Sequence, residues 1–438
     1  MEVEPAPVGT TQLALKVGDQ AQAQRAGWPH ASYSDPGLSK AARSLAGFDE
    51  FRDAVASLPL VADYYGEAAA DQLALAWVFS STAAGDISGL WADFWDRLCT
   101  PTWTYVAVAR LLNFETDCGD LVIAPGLTVR AITMETAADA LGWSADRVLS
   151  EVGDGWRGTR WDRSFVVHSI TVPKTPSNFE LSNSGQETAA IARFLRAVRL
   201  SLPGDVTAST IICGRTRSVL PEAGYLTIGI AGDGNGNEIC HLSDDDVELV
   251  RDSYERLGRF EPMARQYQQI ERALARLCRY DEYSSRMLPD RLIDDFVALE
   301  ALVGSDTELT YKLAIRVSGV LAETDKERVA LFERIRSFYD IRSKLVHGKT
   351  LTAARQQQLL SEPELRDIAR RLLLGFVRLT ESPEFEPRDD FAEKRLDAIL
   401  LDGENRATLR AAIGVLPPRV GPHIVEGGPG RVVPAGLY

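Results

Sequence analysis

The hydrophobic residues of this chain change their repeat near residue 245, and that change limits what it can build. Before that point, β-branched runs bounded by Gly, Pro, Asn and Asp recur: TYVAVARLL (104–112), DLVIAPGLTVRAIT (120–133), SFVVHSITV (164–172), VTASTIIC (206–213) and YLTIGIAG (225–232). Such runs predict strands. Helical spacing is mixed in with them. Phe48, Phe51, Val55 and Leu58 recur every three or four residues, Leu73, Leu75, Val78 and Phe79 suggest a second helix, and Ile191, Phe194, Leu195 and Val198 mark a third over 187–202. After 245 the strand signals stop. DDDVELVRDSYERL places acidic residues where a helix N-terminus favours them. Apolar periods near 3.6 then run over 262–280, 291–304, 308–322, 326–347 and 362–380. Short loops between such helices predict an antiparallel bundle.

The expected organisation follows. Residues 1–45 are a loosely ordered segment rich in Ala, Gln, Pro, Ser and Gly; 46–245 form an α+β domain; 246–385 form an all-α bundle; 386–438 are a Pro- and Gly-rich tail with one short helical run around 390–401. At 438 residues the chain is long enough for these parts, and 45% apolar with 25% charged side chains is the composition of a folded protein.

Charge divides along the same line. Residues 1–250 carry 18 basic and 32 acidic side chains, 251–385 carry 23 and 22, and the last 53 carry 7 and 8. The net charge of −14 excludes a general nucleic-acid coat or a basic membrane-surface protein. The helical part repels phosphate least and is the better place for a polyanion. Cys99, Cys118, Cys213, Cys240 and Cys278 are odd in number and form no CxxC pair, which argues against a zinc site or disulfide framework and for a reducing compartment. No run of about 18 apolar residues exists, and MEVEPAPVGT lacks the features of a secretory signal, so a cytoplasmic protein without membrane partners is expected.

One residue does not fit its helix. In KERVALFERIRSFYDIRSKLVH (326–347) the apolar stripe is Val329, Phe332, Ile335, Phe338 with Tyr339, then Leu345 with Val346. Continuing the period from Phe338 or Tyr339 lands on Arg342. A buried guanidinium needs an acidic partner, an exit to water, or a role at an interface or cleft. His347 follows five residues later and Gly348, a natural helix-ending residue, comes directly after it. Five residues turn about 140° on a helix, so the two side chains would not stack, although they could line one cleft or meet their counterparts across a two-fold axis.

The segment Tyr339-Asp340-Ile341-Arg342-Ser343-Lys344-Leu345-Val346-His347-Gly348, with the upstream helices LIDDFVALEALVGSDTELTYKLAIRVSGVL (292–321), resembles HEPN domains of the Apea-like group over roughly 285–380. That resemblance implies a four- to five-helix HEPN-type bundle that dimerises through its motif helices. It also implies a metal-independent endoribonuclease of a bacterial defence, abortive-infection or toxin–antitoxin system. Carried onto this chain, the catalytic residues would be Arg342 and His347, contributed by both protomers of a homodimer. His suits the activation of an RNA 2′-OH near neutral pH, and a guanidinium can hold two phosphate oxygens. The products would be a 2′,3′-cyclic phosphate and a 5′-OH, with no metal and no cofactor. Ser343 stands where many active relatives carry Asn, Asp or His, and its hydroxyl could orient a neighbour. Lys344 is either a phosphate contact or a solvated lysine. Tyr339 and Asp340 are packing and surface positions or supports of the site.

Two readings are therefore weighed. In the first the bundle cleaves RNA while the N-terminal domain senses a trigger or an antitoxin protein. In the alternative the bundle is a catalytically silent binding or dimerisation module, Arg342 pairs with an acid such as Glu300, and His347 covers the helix end. Other motifs carry less. Asp233, Asn235 and Asn237 in GDGNGNE have calcium-loop spacing, but Glu238 replaces the required Gly, so a hairpin turn is expected. Trp156 and Trp161 with Arg157, Arg160 and Arg163 read as a surface turn or a stacking patch. His168 is expected on a strand face, and His30, His241 and His423 have no partner at metal spacing.

Overall fold

The computed structural model describes residues 4–24, 36–82, 85–132, 136, 164–176, 184–204, 206–208, 211–216, 239–278, 288–304, 308–388 and 390–419. Two compact units emerge: the described residues of Met1–Leu111, Gly119–Ala192 and Ala208–Ile230, and those of Leu112–Cys118, Arg193–Thr207 and Ala231–Tyr438. The division is therefore not a single cut at 245, because two earlier segments belong with the helical unit. The turn expected at 232–238, the strand over 225–232, the Trp156–Trp161 patch, His30 and His423 lie outside the described residues.

The first unit combines helices with a small antiparallel sheet. Its helices are α1 (Val8–Ala23), α2 (Pro36–Arg43), α3 (Phe48–Ala56), α4 (Pro59–Tyr65), α5 (Ala70–Ser81) and α6 (Ile87–Cys99). The expected apolar face of α3 is buried at Phe48, Phe51 and Val55. The segment 1–45, expected to be loose, contains α1 and α2, and α1 buries Ala14, Val17, Gly18 and Ala21. The cause is a cluster of indoles. Trp77 donates to the Ala14 carbonyl at 2.8 Å, Trp91 to Thr11 Oγ1 at 3.3 Å and Trp95 to the Glu4 carbonyl at 2.8 Å. A buried indole N–H needs such a partner, and the small face of α1 lets it approach: a Cβ on Gly18 would sit 2.9 Å from the Trp77 ring.

The sheet places β1 (Thr102–Leu112) against β5 (Ser164–Pro173) and β6 (Ile212–Thr216), and continues through β4 (Leu127–Ala131) to β3 (Leu121–Ala124), every named pair antiparallel. β1 is buried on both faces from Tyr105 to Ala109, as its unbroken apolar run requires. Gly126 turns β3 into β4 at φ +75°, where a Cβ would meet the Ser169 carbonyl at 2.2 Å. His168 is buried on β5, as expected.

The described residues of the second unit are mainly helical and include a short parallel ladder between β2 (Phe114–Thr116) and β7 (Cys240–Leu242). The helix α7 (Ser184–Ser201) contributes its residues from Arg193 onward. Next come α8 (Asp244–Phe260), α9 (Gln268–Leu277), α10 (Leu288–Val303), α11 (Leu309–Leu321), α12 (Asp325–Val346), α13 (Ala353–Leu359) and α14 (Glu362–Leu379). α10 is central and packs on α9, α14 and α12, while α11 lies along α12. The tail is less loose than expected: a π turn (Ala392–Leu396), α15 (Asp397–Leu401) and α16 (Gly403–Ile413) follow, and α16 buries Leu409 and Ile413 beside α14. No helix among the described residues is long and apolar enough to cross a membrane.

Candidate functional site

The helix α12 begins with a capping box, in which Thr324 accepts from the Glu327 backbone and the Glu327 side chain accepts from the Thr324 backbone. It ends at its other expected signal. Gly348 takes φ +65°, its N–H donates to the Leu345 carbonyl, and that of Lys349 donates to the Lys344 carbonyl, the pair of bonds that closes a Schellman end. His347 is thereby the C-terminal cap residue, exposed, with no side-chain hydrogen bond among the described residues. The core seam of α12 is narrower than the expected stripe. Ile335, Phe338 and Ile341 are buried, whereas Val329 and Val346 are 65% and 50% exposed. Ile341 thus takes the inward position, and Arg342 lies at the edge of the seam.

Arg342 faces α10. Its guanidinium lies 3.3 Å from Glu300 Oε1 and 3.5 Å from Oε2, and both side chains are 21% exposed. These contacts are long for a charge-assisted pair, and Arg342 Nε is buried with no acceptor among the described residues. The Tyr339 ring lies 5.4 Å from the guanidinium, within cation–π range, and meets Phe296 edge-on at 5.2 Å. Burial pushes the Glu300 carboxyl above its ordinary value, and the nearby Arg342 charge opposes that shift. An incompletely bonded arginine beside a reluctant carboxylate can accept a better anionic partner.

The remaining residues form a second cluster on the same helix. Asp340 accepts from Lys344 at 2.8 Å and lies 2.6 Å from Arg355 of α13. The Lys344 hydrogen bond, followed by the Arg355 charge, holds its carboxyl below the usual range. Tyr339, Asp340, Ser343 and Arg355 line a cleft of 520 Å³ with Arg336 and Ser337. The structure thus joins Tyr339 to Arg342, and Asp340 to Lys344. His347 makes no contact with Arg342 among the contacts described, in keeping with the 140° turn between them. Arg355 and Arg336 are the cations that sequence reasoning missed. Arg336 had a faint signal, one turn before Asp340 on the motif helix, whereas Arg355 had none, because its short helix buries only Leu359 and shows no apolar period.

No group of three His, Cys, Asp or Glu side chains among the described residues could hold a metal ion. His241 pairs with Asp117 at 3.0 Å on the surface. No family model, curated protein or solved structure matches this chain.

Proposed function

We propose that this protein is a metal-independent endoribonuclease of the HEPN type, in which Arg342 and His347 carry the reaction. The observation behind this reading is the spare capacity of that pair: His347 stands free at a helix end, and Arg342 holds Glu300 only loosely with one N–H unused. His347 would take the proton of an RNA 2′-OH as that oxygen attacks the adjacent phosphorus. Arg342 would hold the non-bridging oxygens, on which charge builds, and the 5′-oxygen would leave as it takes a proton from water. Supporting phosphate contacts would come from Lys344 and Arg355.

The active species would be a homodimer. Val329 and Val346 on α12, with Tyr311 and Ile315 on α11, are large apolar side chains left exposed on these two neighbouring helices, as a self-complementary interface would need. The first unit would sense a trigger or bind a restraining partner in a cytoplasmic defence or toxin-type system. The test is cleavage of single-stranded RNA by the full chain in EDTA, with product ends analysed. Cleavage leaving 2′,3′-cyclic phosphates is expected, and dependence on added magnesium or manganese would overturn the reading.

One observation favours a second reading. The Arg342–Glu300 contact is the acidic pairing expected of a silent binding or dimerisation module. A dimer by light scattering with no cleavage of any RNA would support that alternative.

A further inference from the structure

A cavity of 650 Å³ opens between the end of α11, the first half of α12, the start of α14 and the chain that leaves α16. Its apolar walls include Leu321, Leu331, Ile368, Val415 and Leu416. The last two belong to the segment after Gly414, which Arg371 holds by donating from Nε to the Leu416 carbonyl at 2.7 Å. Among the described residues three arginines and four acids also line the cavity, and most are committed. Arg334 holds Glu364 at 2.5 Å, while Asp367 takes Arg370 at 2.9 Å and lies 3.9 Å from Arg371. Glu327 accepts from the backbone N–H groups of Glu323 and Thr324, and the Glu323 residue is exposed. Arg410 differs. Its Nη1 donates to the Val320 carbonyl at 3.1 Å and to that of Ala322, which is itself a wall of the cavity. Its Nε and Nη2 have no acceptor and no ion-pair partner among the described residues, and neither nitrogen is shut from solvent.

Other arginines crowd this one. Burial, and then the charges of Arg406 and Arg410, lower the Arg328 guanidinium from its ordinary value. Burial lowers that of Arg371 too; Asp367 opposes the shift and Arg410 adds to it. Cations that repel one another gain from an anion placed among them. The Nε–Nη2 edge of a guanidinium fits the two oxygens of a carboxylate. The four acids on the walls limit the charge that can enter, since they repel a dianion such as a phosphate monoester more than a monoanion. The apolar walls suit an alkyl or aryl body, and the volume falls within the range of small-molecule pockets, about 300–1,000 Å³.

We propose that this cavity binds a small amphipathic carboxylate, an alkanoate or arylalkanoate, with its carboxylate on the free edge of Arg410 and its apolar body against Leu331, Ile368 and Leu416. The binding does not rest on the nuclease reading, since none of these residues belongs to the candidate site on the second half of α12.

The test is calorimetric titration of the full chain at neutral pH with octanoate, against 1-octanol as the neutral control and octylammonium as the cationic one. Octanoate is expected to bind saturably below about 2 mM, and the other two at least about tenfold more weakly. Arg410→Gln should weaken octanoate about tenfold or more, through the loss of charge-assisted hydrogen bonds. Leu331→Ala, at a half-buried position, should weaken it several-fold by removing apolar contact, and serves as the second variant if Arg410→Gln fails to fold. No saturable binding of octanoate up to about 2 mM would overturn the proposal. So would octanol or octylammonium binding as tightly as octanoate, the second of which would mean that the acids set the charge preference. An unchanged affinity in folded Arg410→Gln or, failing that, in Leu331→Ala would overturn it as well.

Discussion

Of the ionic contacts that tie the central helix α10 to its neighbours, those toward α14 and toward α12 differ in how fully they are enclosed. Toward α14, Arg291 and Glu362 are 5% and 0% exposed and lie 3.1 Å apart, with Asp295 and Arg366 beside them at 3.6 Å. Toward α12, Arg342 and Glu300 are each 21% exposed and lie 3.3 Å apart. Enclosed charges cannot exchange partners without opening the bundle, since each would be left unpaired in a medium of low polarity. The half-open pair can exchange its carboxylate for a phosphate from solvent. The difference lies in access to solvent: an enclosed arginine within a helical core points to structure, whereas a half-exposed one can meet a partner from outside.

The largest expected effect belongs to the enclosed cluster. Glu362→Ala should cost about 3–5 kcal/mol, because it removes one partner of a buried ion pair. Denaturant unfolding measures this directly, and a loss below about 1 kcal/mol would erase the contrast between the clusters. At the half-open pair the balance reverses. Arg342→Ala and His347→Ala should each reduce RNA cleavage at least about 100-fold, or about 2.7 kcal/mol in transition-state stabilisation. Their stability should change by no more than about 1 kcal/mol. Full cleavage by a well-folded double variant would refute the assignment of the site.

A smaller effect appears with pH. Burial first, and then the neighbouring Glu362, push the Asp295 carboxyl well above its ordinary range. The folded state therefore binds a proton that the unfolded chain gives up near pH 3.9. The unfavourable contribution is absent below that pH. It grows as pH rises toward the raised folded value, and stability falls across that window. Asp295→Asn keeps the shape without the charge and should flatten this part of the pH–stability curve, with a gain of roughly 1–2 kcal/mol at its alkaline end. Parallel curves for the variant and the wild type would mean that Asp295 does not bind that proton.

Much of this architecture was legible in spacing. The runs over 104–112 and 164–172 are the paired strands β1 and β5, and the periods over 291–304, 308–322, 326–347 and 362–380 are α10, α11, α12 and α14. The helix α1 was hidden because its buried face is Ala14, Val17, Gly18 and Ala21. These residues carry little hydrophobic signal, and their partners Trp77 and Trp91 come more than sixty residues later. The helix α16 was hidden for a related reason: it buries just Leu409 and Ile413, and Ile413 fits because Gly375 leaves it space, a Cβ there falling 2.4 Å away. At the candidate site, the anomaly of Arg342 and its partner Glu300 could be read from the sequence. The inward turn of Ile341 in place of Arg342 could not, since it depends on how α12 settles against α10.

The smallest effects belong to the exposed end of the series, where Asp340, Lys344 and Arg355 meet. Asp340 is 41% exposed, so its ion pairs are screened, and Asp340→Asn should change stability by no more than about 0.5 kcal/mol. Its lowered carboxyl makes even that contribution present only above the unfolded value and lost as pH falls through the folded one. The cluster matters more for binding, because it sets two cations against one carboxylate on the helix that carries Arg342. If RNA crosses this cleft, Lys344→Ala and Arg355→Ala should each weaken single-stranded RNA binding about two- to fivefold, whatever the sequence. Each should also lower the slope of log affinity against log salt by about 0.7. Asp340→Asn should strengthen binding, since it removes the competing anion and frees both cations. Fluorescence anisotropy across a salt series separates these cases. An unchanged slope in both cation variants would place the RNA elsewhere on the bundle and leave Arg342 and His347 to be tested without this cleft.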